Sequence, residues 1–145
     1  MVGDKILLLS PHTDDGELGC GATVSKLIRE GKQVYYAAFS ACEQSVLPNF
    51  PKDILISEVK AATATLGIPE ANLKLFRYDV RTFNYHRQAI LDDLIQLRET
   101  IQPDTVLIPS VNDIHQDHKT MAEEALRAFK FVNIFSYELP WNNLN

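Results

Sequence analysis

Short apolar runs alternate along this chain with longer segments in which apolar residues recur at spacings of three and four. The first and fourth runs, KILLLS and TVLIP, are almost continuously apolar, as expected for strands that are covered on both faces. The pattern predicts five strands, at Lys5–Ser10, Val34–Ser40, Leu73–Phe76, Thr105–Pro109 and Asn133–Glu138.

The segments between the strands have the periodicity of amphipathic helices. In the third of them, Ile90, Leu94 and Leu97 recur on one face. The sequences EGK, LGIPE and IQPD are typical helix-stop signals, and they follow three of these segments. The pattern predicts helices near Gly19–Glu30, Ile54–Leu66, Tyr85–Ile101 and Asp117–Lys130.

The alternation of strands and helices predicts an α/β domain, a three-layer sandwich whose mostly parallel sheet carries helices on both faces. Right-handed crossovers favour the strand order 3-2-1-4-5. Strands one and four are then neighbours where the winding direction reverses. Ligands bind such sheets outside the carboxyl ends of the strands at that point. The loops after these two strands are therefore the expected place for chemistry.

Both of these loops are rich in histidine and aspartate. The loop after strand one carries His12, Asp14 and Asp15, and the loop after strand four reads SVNDIHQDHKT. Histidine and carboxylate together suit zinc or a comparable divalent ion, and a catalytic zinc site has three protein ligands and an open position. His12, Asp15 and His118 can supply that set.

The remaining polar residues of the two loops fit catalytic roles. Asp14 can act as the general base that takes a proton from the attacking water. His115 can donate a hydrogen bond to the developing oxyanion, and the nearby carboxylate of Asp117 is expected to favour its charged form. Asp117 can also orient a histidine ligand.

Structural roles for the same residues stay open at this point. Asp14 or Asp15 can cap the first helix, and Asp117 can cap the fourth, because aspartate is a preferred N-cap residue. A single loop histidine is usually a surface residue. That interpretation weakens when three of the four histidines of the chain fall in the two loops that the topology selects.

Composition narrows the class of protein. The 145 residues are 46% apolar and 23% charged, which is typical of a globular domain, and the net charge of −5 disfavours a nucleic-acid partner. No stretch resembles a signal peptide or a membrane span, and the two cysteines form no CxxC pair, so the expected location is the cytoplasm. The oligomeric state stays open, a homo-oligomer included.

The two loop motifs carry a family likeness. PHTDDGELGCGAT resembles the PHPDDE…LGCGGT signature of the PIG-L or LmbE-like family of zinc-dependent N-acetylglucosaminyl deacetylases, and NDIHQDH resembles its second motif, His-any-Asp-His. The resemblance implies a Rossmann-like fold and removal of the N-acetyl group from an N-acetylglucosamine-type sugar or glycoconjugate. It implies zinc as the cofactor, with Fe²⁺ as an alternative. It also matches His12, Asp15 and His118 to the metal ligands, Asp14 to the general base and His115 to the residue that stabilises the intermediate.

The chain departs from the signature at several points. Thr13 replaces a proline, and Gly16 stands where the signature has glutamate, with Glu17 one place later. The resemblance also implies that residues 1–145 form one deacetylase domain that lacks its C-terminal part.

Substrate contacts are expected from two further loops at the same end of the sheet. The resemblance places Asp79 where the family has an acidic residue for sugar hydroxyls, and Arg81 and Glu43 lie in the loops beside it. The alternative for Arg81 is that it belongs to a solvated basic rim with Arg77 and Arg87.

Two other functions stay open from the sequence. A dinucleotide-binding domain would explain a glycine-rich turn, but GELGCGAT matches GxGxxG poorly and leaves the histidines unexplained. A non-catalytic remnant that still binds metal is the second alternative. Metal content separates the deacetylase from the dinucleotide-binding domain, and turnover separates it from the remnant.

Overall fold

A computed structural model describes residues 2–143. Five strands form one sheet in the order 3-2-1-4-5, and every neighbouring pair is parallel. The sequence prediction of topology is confirmed, and the sheet is parallel throughout rather than mostly. The strands are β1 (Lys5–Ser10), β2 (Gln33–Ala38), β3 (Leu73–Leu75), β4 (Thr105–Pro109) and β5 (Asn133–Tyr137).

Helices cover both faces of the sheet, and each face has its own apolar core. One core contains Phe39 and Phe83 with the third and fourth helices, and the other contains Val24 and Val59 of the first and second helices. In the part of the chain that the structure describes, no helix is both long and apolar enough to cross a membrane. The helices are α1 (Asp15–Arg29), α2 (Ile54–Leu66), α3 (Arg87–Ile101) and α4 (Gln116–Ala128).

The first helix differs from its prediction. It begins at Asp15 rather than near Gly19, and it contains a kink at Cys20, where φ is −147°. The glycines there serve close packing: a Cβ on Gly19 would lie 2.3 Å from the ring of Tyr137. The early start places Asp15 in the first helical turn, where the positive end of the helix dipole favours a carboxylate.

Candidate metal centre

Two loops meet at the carboxyl ends of β1 and β4, which are neighbours in the sheet. We call residues 10–17 the first ligand loop and residues 110–118 the second ligand loop. Three side-chain atoms from these loops form a nearly equilateral triangle. His12 Nδ1 lies 3.1 Å from Asp15 Oδ2, His118 Nε2 lies 3.1 Å from the same oxygen, and the two ring nitrogens are 3.2 Å apart.

The triangle has the dimensions of one face of a metal coordination shell. Two ligand atoms bound tetrahedrally to one zinc ion at 2.0–2.1 Å are about 3.3 Å apart. All three residues are buried, with 8% or less of their surface exposed. The fourth direction of such a shell belongs to none of them, so His12, Asp15 and His118 fit a three-ligand site with an open position.

Each histidine of the triangle is oriented by a second carboxylate. Asp117 Oδ2 lies 3.0 Å from His12 Nε2, and Asp113 Oδ2 lies 2.8 Å from His118 Nδ1. An ionised carboxylate can only accept, so in the neutral, metal-binding form of each ring the proton lies on the nitrogen that faces Asp117 or Asp113. The lone pair of the other nitrogen then points at the triangle, which is the arrangement that metal-binding histidines show.

His115 completes an alternative group of three histidines with His12 and His118, whose ligand atoms lie within 4.8 Å of one another. Its hydrogen bonding argues against that group. His115 caps α4, because its Nδ1 accepts the backbone N–H of Asp117 at 3.2 Å. In the neutral ring the proton is therefore on Nε2, and Nε2 is a donor rather than a ligand. The hydrogen bonding therefore favours Asp15 over His115 as the third ligand of a candidate site.

The expectation that Asp117 keeps His115 charged is wrong. Burial lowers the pKa of His115, and the neighbouring His118 and His12 lower it further. The carboxylate of Asp117 faces His12 instead, and its effect on the His115 pKa is smaller and opposite. His115 can nevertheless donate from Nε2 without carrying a charge.

The triangle holds protons tightly when it holds no cation. Burial by itself lowers the pKa of His12, but hydrogen bonds to Asp117 and Asp15 outweigh this and raise it from 6.5 to about 9. For His118 burial acts the same way, and Asp15 again reverses it, so its pKa is also raised. The two histidines hold the pKa of Asp15 well below its usual range despite burial. A divalent cation would replace these protons.

This competition predicts a pH-dependent effect of zinc on stability. Because the pKa of His12 is raised on folding, its contribution to the free energy of unfolding of the metal-free domain is full below about pH 6.5 and is lost as the pH rises through about 9. Zinc requires the neutral imidazole, so its stabilisation grows over the same window. The difference in Tm between zinc-loaded and metal-free protein should widen by several degrees from about pH 6 to about pH 9. If differential scanning calorimetry gives the same Tm difference at both pH values, the raised pKa of His12 is contradicted.

Asp14 stands at the rim of the site. It occupies the N-cap position of α1, but its side chain makes no capping hydrogen bond, so the capping role is not realised. Partial desolvation raises the pKa of Asp14, although the residue is exposed, and the charge of Asp15 beside it acts in the same direction. A raised pKa makes the carboxylate a better proton acceptor.

Asp117, in the second ligand loop, is hydrogen-bonded to the first ligand loop and to the loop after β3. Its side chain is completely buried, and besides His12 it accepts the backbone N–H groups of Arg81 at 2.5 Å and Phe83 at 3.2 Å. It lies in the first turn of α4, and His115 occupies the N-cap position, so the predicted capping alternative for Asp117 is wrong. Its carboxylate faces His12 Nε2, which is the contact expected if Asp117 orients a histidine ligand.

The residues expected to bind substrate lie beside the metal centre in the loops after β2 and β3. Arg81 has a positive φ of 69°, which directs its backbone N–H to Asp117 while its side chain stays exposed. The carboxylate of Asp79 accepts from Gln44, and Glu43 pairs with Arg77 at 2.7 Å. The described structure links these side chains to each other rather than to the metal ligands.

Sequence reasoning left Asp113 without a role. Its carboxylate is buried and holds both the ring of His118 and the backbone N–H of His115, at 2.8 Å each. Asp113 lies in the loop before α4 and His118 lies in the first turn of α4, so their spacing of five residues gave no periodic signal.

The chain is similar to proteins of known family and structure. The family profile described as PIG-L: GlcNAc-PI de-N-acetylase matches residues 7–129. N,N'-diacetylchitobiose deacetylase from Pyrococcus horikoshii is 25% identical, with a TM-score of 0.76 over 88% of this chain and 50% of its own. This chain thus spans about half the length of that protein.

Two more solved structures share the fold at lower identity. The A40926 pseudoaglycone deacetylase Dbv21 is 22% identical, with a TM-score of 0.80 over 95% of this chain and 65% of its own. The zinc-inhibited form of teicoplanin deacetylase Orf2 is 16% identical, with a TM-score of 0.80 over 97% and 71% of the two chains. The profile match covers most of the 145 residues, including both ligand loops, and the chain belongs to the PIG-L family.

Proposed function

We propose that this domain is a divalent-metal-dependent N-deacetylase that uses zinc and removes the acetyl group from an N-acetylglucosamine-type sugar or glycoconjugate. The observation that carries the proposal is the triangle of His12, Asp15 and His118, in which a second carboxylate orients each histidine. Family membership and the deacetylases among the structural neighbours support it.

Hydrolysis would require both the divalent ion and side chains of the two ligand loops. A divalent ion held by the three ligands supplies Lewis-acid activation of water and of the acetyl carbonyl. Asp14, one residue before the proposed ligand Asp15, would take the proton of the attacking water and return it to the leaving amine. The rise in its pKa with partial desolvation suits both directions of transfer.

His115 would stabilise the negative charge that develops on the acetyl oxygen. Its Nδ1 is occupied by the backbone N–H of Asp117, so the neutral ring presents an Nε2–H donor beside the ligands. A donor fixed before the reaction needs no reorganisation as the charge forms.

The sugar would bind between the loops after β2 and β3. Asp79, Glu43 and Arg81 present carboxylate and guanidinium groups there, and a small cleft between the loops is lined in part by Glu43, Arg77 and Asp79. Sugar hydroxyls would replace the hydrogen bond of Asp79 with Gln44 and the pairing of Glu43 with Arg77.

We expect His115→Ala to keep the metal and to lower turnover by about 10²–10³-fold, the usual effect of removing one oxyanion donor. His115→Gln, which retains an N–H donor, should recover part of that loss. Metal content and acetate release report the two effects separately. Loss of the metal from His115→Ala would show instead that His115 is a ligand.

Acetate release tests the proposed function directly. The purified chain is loaded with one equivalent of Zn²⁺ and, separately, with excess Zn²⁺, because a structural neighbour has a zinc-inhibited form. Fe²⁺ and Co²⁺ are compared under the same conditions. Substrates are N-acetylglucosamine, its glycosides and N,N'-diacetylchitobiose, with N-acetylated amino acids as the control class. Stoichiometric metal binding without acetate release from any sugar would identify the domain as a non-catalytic remnant.

A further inference from the structure

A buried tyrosine lies beneath the first ligand loop. Tyr36 is on β2, and its side chain is completely buried. Its hydroxyl lies within hydrogen-bond distance of three oxygens of that loop: 3.0 Å from Ser10 Oγ, 3.3 Å from the carbonyl oxygen of Thr13 and 2.5 Å from Glu17 Oε2. One side chain thus contacts both ends and the middle of the segment that carries His12 and Asp15.

The serine extends this contact to the backbone of the loop. Ser10 Oγ donates to the carbonyl oxygen of His12 at 2.5 Å and accepts the backbone N–H of Gly16 at 3.0 Å. The network of Tyr36, Ser10 and Glu17 therefore fixes the backbone on both sides of the two ligands. Its members lie outside the metal triangle.

The ring of Tyr36 also explains the glycine at position 16. A Cβ on Gly16 would lie 2.8–2.9 Å from three atoms of Tyr36, closer than real Cβ contacts allow. The family signature has glutamate at this position, and here the glutamate comes one place later and meets the Tyr36 hydroxyl. Gly16, Glu17 and Tyr36 form one complementary arrangement.

We propose that Tyr36, with Glu17 as its hydrogen-bond acceptor, is a positioning residue that holds the first ligand loop in its metal-binding conformation. The inference rests on the proposed function only in taking His12 and Asp15 as metal ligands. It concerns metal binding, so it can be tested without a substrate. The competing explanation is that Tyr36 is an ordinary core residue whose hydroxyl contributes only to stability.

Tyr36→Phe, which keeps the ring and removes the hydroxyl, separates these explanations. Its matched control is Tyr137→Phe, because Tyr137 is also buried and donates a single hydrogen bond, at 2.9 Å, to the carbonyl oxygen of Leu9 in β1. Zinc affinity is measured by competition with a chromophoric chelator. The visible absorption spectrum of the Co²⁺-loaded protein reports the geometry of the site.

We expect Tyr36→Phe to weaken zinc binding by about 10–100-fold, the usual cost of removing an outer partner of a metal site, and to change the Co²⁺ spectrum. Tyr137→Phe should lower Tm to a similar extent and leave the affinity within about twofold and the spectrum unchanged. Equal zinc affinities for Tyr36→Phe and the parent, or equal losses in both variants, would overturn the proposal.

Two variants of Glu17 provide a second test, which can be done even if Tyr36→Phe does not fold. Glu17→Gln retains an oxygen acceptor for the Tyr36 hydroxyl, and Glu17→Ala removes it. We expect Glu17→Gln to bind zinc like the parent and Glu17→Ala to bind it at least about tenfold more weakly. Equal affinities of the two variants contradict the proposal. If the parent binds zinc but releases no acetate, only the proposed activity is excluded. If the parent binds no zinc, both the proposed activity and the positioning role of Tyr36 are excluded.

Discussion

His118→Ala is expected to remove the bound divalent ion. The imidazole supplies one of the three ligand atoms, and its removal leaves Asp15 and His12 with two ligands around a buried site. Structural and catalytic zinc sites use three or four protein ligands. The loss of affinity should exceed the 10–100-fold that follows removal of an outer partner. Elemental analysis after dialysis against a weak chelator measures it.

Two variants bracket this result. His86→Ala removes the one histidine that lies outside the two ligand loops. His86 is exposed at the start of α3, and the variant should keep a full equivalent of metal. Asp113→Asn removes the charge that orients His118 and should give an intermediate loss of about 10–100-fold. If His118→Ala retains a full equivalent, the ligand assignment is wrong.

The topology could be predicted because parallel strands buried on both faces have nearly continuous apolar sequences. The start of α1 could not be. The glycines of DGELGCG indicate a loop, since glycine is a poor helix former. In the structure Gly16 and Gly19 are helical, and Tyr36 and Tyr137 leave no room for a Cβ at these positions. These contacts join residues far apart in sequence, and no local pattern contains them.

The candidate site likewise has some features that the sequence predicts and others that it does not. The ligand types and the two loops follow from sequence, because topology brings the carboxyl ends of β1 and β4 together. Which carboxylate orients which histidine does not follow. The carboxylate of Asp117 contacts His12, 105 residues away along the chain, rather than the ring of its neighbour His115. This contact explains why the expected protonation of His115 is wrong, since burial and two nearby histidines dominate its pKa.

Asp14→Asn is expected to keep the metal and to lower turnover by about 10²–10⁴-fold, the usual contribution of a general acid–base residue. The asparagine is nearly isosteric and cannot accept a proton at the pH of the reaction. Asp14 is not among the three atoms of the triangle, so zinc stoichiometry should stay at that of the parent. The measurement therefore requires acetate release and metal content from the same preparation.

The matched control for this variant is Asp53→Asn. Asp53 occupies the N-cap position of α2, as Asp14 does in α1, and its side chain likewise makes no capping hydrogen bond. Asp53→Asn should therefore have the same small effect on its helix and none on turnover. Equal rates for the parent and Asp14→Asn would exclude Asp14 as the base. If Asp14→Asn loses the metal, Asp14 is a ligand, because metal binding then depends on the negative charge that the substitution removes.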